Sequence, residues 1–148
     1  MEDYLEAIGD LERSGKAARV RDIARLTDVS MSTVTASLKQ LGRAGLVNYD
    51  PYEVVSLTDI GRGLAGQIRR RHDELARFLQ DVLHLDDSVC QANACRMEHV
   101  VDDEVLSRLS LLGAFLRSRG PRGRRFLAEF RRLCELQAGR EVSKEEMA

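Results

Sequence analysis

The sequence predicts a mainly α fold, with an N-terminal winged helix-turn-helix that includes a small β-hairpin, followed by an all-helical region. Three observations predict it. Apolar residues recur at helical spacing through almost the whole chain. Residues 46–57 alone switch to a strand–turn–strand pattern. A short helix, a turn and a longer helix with a small polar face come just before that switch.

Residues 3–14 carry Leu5, Ile8 and Leu11 at a spacing of three, an amphipathic helix broken by Gly15 and Lys16. A short helix over about 21–27 turns Ile23, Ala24 and Leu26 inward. Thr27-Asp28-Val29-Ser30 reads as a turn, and residues 31–44 as a helix with Val34, Leu38 and Leu41 inward. Gly45 falls where a helix C-terminal glycine belongs. Leu46-Val47-Asn48-Tyr49 and Val54-Val55-Ser56-Leu57 read as two strands. Asp50-Pro51-Tyr52-Glu53 forms the turn between them, with proline at its second position.

Thr58 is placed to cap a long helix to about Leu83, with Ile60, Leu64, Ile68, Leu75, Phe78, Leu79 and Val82 as its apolar stripe. A helix starting at 86–88 is expected to run through about Val100. Asp102 is placed to cap the next, about 103–117, carrying Val105, Leu109, Leu112 and Leu116. Ser118-Arg119-Gly120-Pro121 is a break, and a last helix over about 122–137 carries Phe126, Phe130 and Leu133. The domain expectation is 1–60 for the winged helix, 61–138 for the helical domain and 139–148 for a polar tail. There are no repeats.

The composition narrows the function. Of 148 residues, 43% are hydrophobic, enough for a core, and 32% are charged. No apolar run approaches the roughly 18 residues a membrane helix needs, and the acidic start does not resemble a secretion signal. Three cysteines, an odd number, fit a reducing cytoplasm better than a disulfide framework. A net charge of −1 excludes a uniformly basic nucleic-acid binder. The charge is uneven, however. Arg13 to His72 holds 11 Lys/Arg and 5 Asp/Glu, a net of +6, whereas His84 to Glu104 holds one Arg against six acids.

The basic half carries a nucleic-acid signal. The exposed side of helix 31–44 presents Ser32, Thr33, Thr35, Ala36, Ser37, Lys39 and Gln40, which are small or hydrogen-bonding and fit a major groove. Arg19, Arg21, Arg25, Lys39 and Arg43 border it with positive charge for phosphates, and the hairpin tip at Pro51-Tyr52 is the expected wing. A helical bundle with an incidental Ser/Thr face is the competing reading.

The acidic half carries a metal signal in Cys95-Arg96-Met97-Glu98-His99. On a helix, i, i+3 and i+4 share a face, so Cys95, Glu98 and His99 present a thiolate, a carboxylate and an imidazole together. That mixture suits a borderline transition metal, not Ca²⁺ or Mg²⁺. Alone, such a triplet is more often structural. Asp3 and Glu6 are likewise i, i+3 on the first helix, and His72 follows Arg69-Arg70-Arg71 on the long one.

The whole set resembles the diphtheria toxin repressor family of metal-dependent transcriptional regulators. The resemblance is carried by residues 1–8 (Met1-Glu2-Asp3-Tyr4-Leu5-Glu6-Ala7-Ile8), by Ala18-Arg19-Val20-Arg21-Asp22-Ile23-Ala24 and by Val29-Ser30-Met31-Ser32-Thr33-Val34-Thr35. It continues in Gly45-Leu46-Val47, Leu57-Thr58-Asp59-Ile60-Gly61-Arg62, Arg71-His72 and Cys95-Arg96-Met97-Glu98-His99-Val100, and covers about residues 2–117.

The resemblance implies an N-terminal winged-helix domain and a helical domain for dimerisation and metal binding. It implies a repressor that binds double-stranded operator DNA as a homodimer when loaded with Mn(II) or Fe(II); by ligand softness and the Irving–Williams order, Zn(II) and Co(II) are expected to bind in vitro. The implied metal positions are Asp3, Glu6, His72, Cys95, Glu98 and His99. Asp3 and Glu6 match the manganese-type branch and Cys95 the iron-type branch, so the ligand set is a hybrid. The ancillary site of iron-type members shares His72, but its other usual ligands fall on Ala76 and Gln91, which cannot serve. The chain leaves no room for the C-terminal SH3-like domain of longer members, so the short, manganese transport regulator-like form is expected. No enzymatic activity, small organic substrate or membrane partner is implied, and a cytoplasmic location is expected.

Two other readings compete. A helical-bundle metalloenzyme lacks the paired Glu-x-x-His on two helices and leaves the hairpin unexplained. A metal-independent winged-helix protein treats the Cys/Glu/His face as structural. His84 is expected at the surface or as a cap, Cys134 in the core, and Cys90 in either place.

Overall fold

Leu5, Ile8 and Leu11 bury one face of the first helix, α1 (Glu2–Arg13), and the acids Glu2 and Asp3 in its first turn suit the positive end of its dipole. The computed structural model describes residues 1–51 and 53–145, with side chains through residue 137. Contacts divide the chain into two compact units, Met1–Arg70 and Arg71–Ala148.

In the first unit, α1 is followed by α2 (Val20–Thr27) and α3 (Met31–Arg43). Asp28 ends α2 in the left-handed region, at φ 53°, which turns the chain sharply toward α3. Ser30 caps α3 by accepting the Thr33 amide at 3.2 Å. At the far end of α3, Gly45 (φ 70°) donates to Gly42 O and Leu46 donates to Leu41 O, both at 3.0 Å. This is the paired closure that a left-handed glycine allows and a β-carbon would strain.

The hairpin is shorter than the sequence predicts. β1 (Val47–Asn48) pairs antiparallel with β2 (Ser56–Leu57) in the register Val47↔Leu57 and Asn48↔Ser56. A bridge between Ala18 and Val55 adds a third line of backbone pairing. Glu53 N donates to Asp50 O at 3.1 Å, closing the predicted Pro51 turn. Leu5, Ile8, Ile23, Val34, Leu38, Leu41 and Val55 fill the core, joined by Ala65 from the next helix.

That helix, α4 (Asp59–Asp81), starts at a three-way junction. The Thr58 hydroxyl donates to Gly45 O at 2.7 Å and accepts from Gly61 N at 3.1 Å, so it caps α4 and ties it to the end of α3. Leu64 and Ala65 belong to the first core, so the first unit reaches some ten residues past the hairpin. The buried positions of α4 are Gly61, Ala65, Ile68, His72, Leu75, Ala76 and Leu79, mostly at spacings of three and four, and Val82 just after its end is buried too. Ile60, expected inside, lies off that stripe and is exposed. Leu26 is exposed for the same reason, because α2 buries the Ile23–Ala24 side.

In the second unit, α5 (Asp87–Met97), α6 (Asp103–Ser118) and α7 (Pro121–Glu145) follow α4. Leu75, Ala76, Ala94 and Leu106 make its core, with Met97, Val101 and Leu109 packed around it. Several expectations are corrected here. α5 ends at Met97, three residues short of Val100. On α6 the inward stripe is Leu106, Leu109, Gly113 and Leu116, whereas Val105 and Leu112 are exposed on a second apolar stripe. Phe126 and Leu133 of α7 are exposed, and so is Cys134, which was expected in the core. α7 continues to Glu145, through most of the expected polar tail. Arg140, Glu141, Lys144 and Glu145 are good helix formers, and Gly139 lowers helicity without breaking it. Residues 146–148 of that tail lie outside the described residues. Asp102 holds the N-cap position of α6 without a side-chain hydrogen bond to the helix.

A β-carbon built on Gly61 would lie 1.9 Å from Leu46 O. Gly61→Ala is therefore expected to force the α3–hairpin–α4 junction apart and to cost about 1–3 kcal/mol, read as a lower urea midpoint.

Candidate functional site

A histidine occupies the apolar stripe of α4. His72 is 7% exposed and Glu98 is 2% exposed, and these two make up the buried polar and charged set among the described residues. Burying an ionisable pair is costly unless the groups satisfy each other. Here His72 Nδ1 lies 2.9 Å from Glu98 Oε2, and His99 Nε2 lies 3.4 Å from Glu98 Oε1. The other ring nitrogen, His72 Nε2, lies 2.8 Å from Gln91 Oε1.

Glu98 owes its place to the early end of α5. Because the helix stops at Met97, Glu98 is its C-cap residue and His99 lies in the turn beyond it. The face expected to present Cys95, Glu98 and His99 thus runs past the end of the regular helix, with Glu98 still in helical conformation and donating to Ala94 O. Cys95 remains on α5 and is exposed, Glu98 turns inward, and His99 is exposed with a partly covered imidazole. Arg71 holds this turn. Its Nε donates to Glu98 O at 2.9 Å, and its two terminal nitrogens reach Val101 O and the Asp103 carboxylate. One guanidinium therefore clamps the backbone from the end of α5 to the start of α6, immediately beside His72 in sequence. A planar fork of five donors is suited to that task and an ammonium is not.

The second unit thus brings together an imidazole, a buried carboxylate and a second imidazole. These donors fit a divalent transition metal, which takes mixed nitrogen and oxygen ligands. Asp3 is exposed and Glu6 half-buried on α1 in the first unit, one turn apart as their spacing requires. Ala76 is buried and Gln91 bonds His72, so neither supplies a carboxylate or imidazole at those positions. Cys90 is fully buried, and its thiol donates to Leu85 O at 3.4 Å. Burial raises its pKa first, and the charges of Asp87 and Asp86 raise it further, so it stays a structural thiol. His84 is exposed in the left-handed region, at φ 55°, after the end of α4.

The first unit presents the other candidate surface. Ser32, Thr33, Ala36, Lys39 and Arg43 are exposed on α3, while Thr35 and Ser37 are half-buried and Val34 and Leu38 face the core. Thr33 Oγ1 lies 2.8 Å from the Ser30 cap hydroxyl, and Thr35 Oγ1 donates to Met31 O at 2.8 Å. A concavity of about 960 Å³ lies between α3 and the hairpin, lined by Arg19, Arg21, Met31, Thr35, Lys39 and Pro51 among others. Arg21 and Arg25 both lie 3.7 Å from Asp22, exposed enough for these contacts to be weak. Tyr52, expected in the wing, lies outside the described residues.

Sequence reasoning missed two functional neighbours. Arg71 appeared only as the end of an arginine run and within the Arg71-His72 segment of the resemblance, with no structural role given to it. Gln91 appeared only as a position unable to bind metal, although its place one turn before Cys95 was the signal that could have found it.

The chain belongs to the iron-dependent repressor family of metal-dependent transcriptional regulators. Residues 1–55 match the family's N-terminal DNA-binding domain, and residues 58–127 match its metal-binding and dimerisation domain. The chain is 36% identical over 112 residues to an uncharacterized HTH-type transcriptional regulator of Methanocaldococcus jannaschii, covering 75% of this chain and 90% of that one. It is 37% identical over 108 residues to the diphtheria toxin repressor of Corynebacterium glutamicum, covering 73% of this chain and 47% of that one. Among solved structures, a manganese-dependent transcriptional repressor in complex with manganese matches with a TM-score of 0.71 and 31% identity, over 77% of this chain and 52% of that one. The chain therefore spans about half the length of these last two relatives. Among the described residues no helix is long and apolar enough to cross a membrane.

Arg71→Ala is expected to leave Glu98 O and Val101 O without their donor and to cost about 2 kcal/mol in urea unfolding. Arg71→Lys is expected to recover less than half of that loss, because one ammonium cannot reach all three acceptors.

Proposed function

We propose that this protein is a transcriptional repressor that binds operator DNA as a homodimer when loaded with Mn(II) or Fe(II), acting in the cytoplasm and without a catalytic step. The observation that carries the reading is the His72–Glu98 pair, two ionisable side chains set into an otherwise apolar helix stripe. Such a pair is often less stabilising than apolar side chains of the same volume, so its presence here supports a functional role. The family match and the winged-helix unit supply the other half of the reading.

In this reading, His72, Glu98 and His99 hold the metal from the helical unit, Cys95 adds a thiolate, and Asp3 and Glu6 add carboxylates from α1. The metal supplies a charge that gathers these donors in one coordination sphere. Drawing ligands from α1 restricts how the DNA-binding unit is oriented relative to its twin, which sets whether two recognition helices match successive major grooves. The coupling is reciprocal, so DNA tightens metal by the same factor as metal tightens DNA. Thr33, Thr35, Ser32, Ala36 and Ser37 meet base edges or nearby phosphates, and Arg21, Arg25, Lys39 and Arg43 lie at the phosphate border. Leu112, Phe115 and Phe126 line an apolar hollow of about 550 Å³ in the second unit, which supports burial against a second copy.

Binding to an operator duplex obtained by in vitro selection tests the reading. Added Mn(II) is expected to raise affinity, and the combined Thr33→Ala, Thr35→Ala variant to lose about 10- to 100-fold while still binding metal. Affinity independent of metal sinks the metal-dependent reading and favours the metal-independent winged-helix protein.

Cys95 has its own test. Co(II)-loaded protein is expected to show a sulfur-to-metal charge-transfer band in the near ultraviolet that Cys95→Ser abolishes. A wild-type spectrum without that band removes Cys95 from the ligand set.

A further inference from the structure

We propose that Gln91 is a positioning residue that fixes the tautomer of His72 and commits its Nδ1 to the metal. The inference rests on reading His72 as a ligand. A neutral imidazole carries one proton and one lone pair, and a metal ligand needs the lone pair on the side where the other donors gather. In this protein that side is Nδ1, which lies 2.9 Å from Glu98 Oε2; a carboxylate oxygen there calls for a proton on Nδ1, and it is this proton that a bound metal would replace.

Nε2 faces Gln91 Oε1 at 2.8 Å. The orientation of the Gln91 amide is itself fixed, because Gln91 Nε2 donates to Asp87 Oδ1 at 3.3 Å and an ionised carboxylate only accepts. The amide oxygen is therefore the end turned toward His72, and His72 Nε2–H donates to it. Asp87, Gln91 and His72 form a directed chain from the first turn of α5 to α4. Ala76, one turn beyond His72 on α4, offers no donor atom. The Nε2 side of the ring is thus an orienting side and the Nδ1 side a ligating one. Hydrogen bonds of this kind to a metal-bound histidine are commonly worth about 10- to 100-fold in metal affinity.

The test compares wild type, Gln91→Ala, Gln91→Glu and His72→Ala by Zn(II) affinity, and by ¹⁵N NMR of the His72 ring in the Zn(II)-loaded protein. Gln91 is exposed on a helix that tolerates alanine, so circular dichroism is expected to show Gln91→Ala folded. Expected results are an Nε2–H tautomer in wild type, about 10- to 100-fold weaker Zn(II) binding in Gln91→Ala with the tautomer no longer unique, and recovery in Gln91→Glu, which keeps the acceptor. An Nδ1–H tautomer in the loaded wild type overturns the inference, as does wild-type affinity in Gln91→Ala. If His72→Ala weakens binding and Gln91→Ala does not, the inference alone fails. If His72→Ala binds Zn(II) like wild type, or the wild type does not bind it, the metal-site reading fails and the inference with it.

Discussion

The helical unit depends on the grip of Arg71 on the end of α5. Its guanidinium takes Glu98 O, Val101 O and the Asp103 carboxylate, and so ties together the chain between α5 and α6. That conformation turns Glu98 inward, and the adjacent residue on α4, His72, meets it. Neighbouring residues on one helix divide the labour. One fixes the backbone that carries the carboxylate, and the other pairs with the carboxylate itself. A buried carboxylate is costly unless polar groups face it, and here His72 Nδ1 lies 2.9 Å from one Glu98 oxygen and His99 Nε2 3.4 Å from the other.

The two halves of the chain use charge in opposite ways. In the first unit, arginines and a lysine stand exposed around a helix whose own surface is small and polar, leaving hydroxyls and cations facing water. In the second, the acidic excess from His84 to Glu104 includes Glu98, which is buried. α4 is a single helix whose early turns carry Ala65 into the first core and whose later turns carry His72, Leu75 and Ala76 into the second. The stripe that serves as core is the same stripe that carries His72.

Where the sequence was read correctly, the interaction is local. Thr58 caps α4, Gly45 closes α3, Pro51 makes the hairpin turn, and Leu5, Ile8, Leu11, Val34, Leu38 and Leu41 are buried at their expected spacing. Each follows from residues a few positions apart. The errors share a cause as well. Ile60, Val105 and Leu112 are apolar and sit close to a core stripe, but a periodic pattern does not say which of two adjacent apolar stripes meets the interior. The end of α5 was missed because nothing between Met97 and Val100 breaks a helix. At that end Glu98 O is taken by Arg71, 27 residues earlier, a contact that no local pattern reveals.

The sequence by itself determined the class of protein: a winged helix-turn-helix with a polar recognition face, a helical region after it, and metal-ligating residue types at spacings that resemble one family. Those are properties of short segments and of residue chemistry. Only the tertiary structure decided which of the ligand types converge within the helical unit. His72 and Glu98 are 26 residues apart, and their ring-to-carboxylate contact exists because two helices and a clamped turn place them together. The structure alone also gave Gln91 its partner. The hydrogen bond to His72 spans 19 residues and two helices, and helical periodicity relates only residues on one helix.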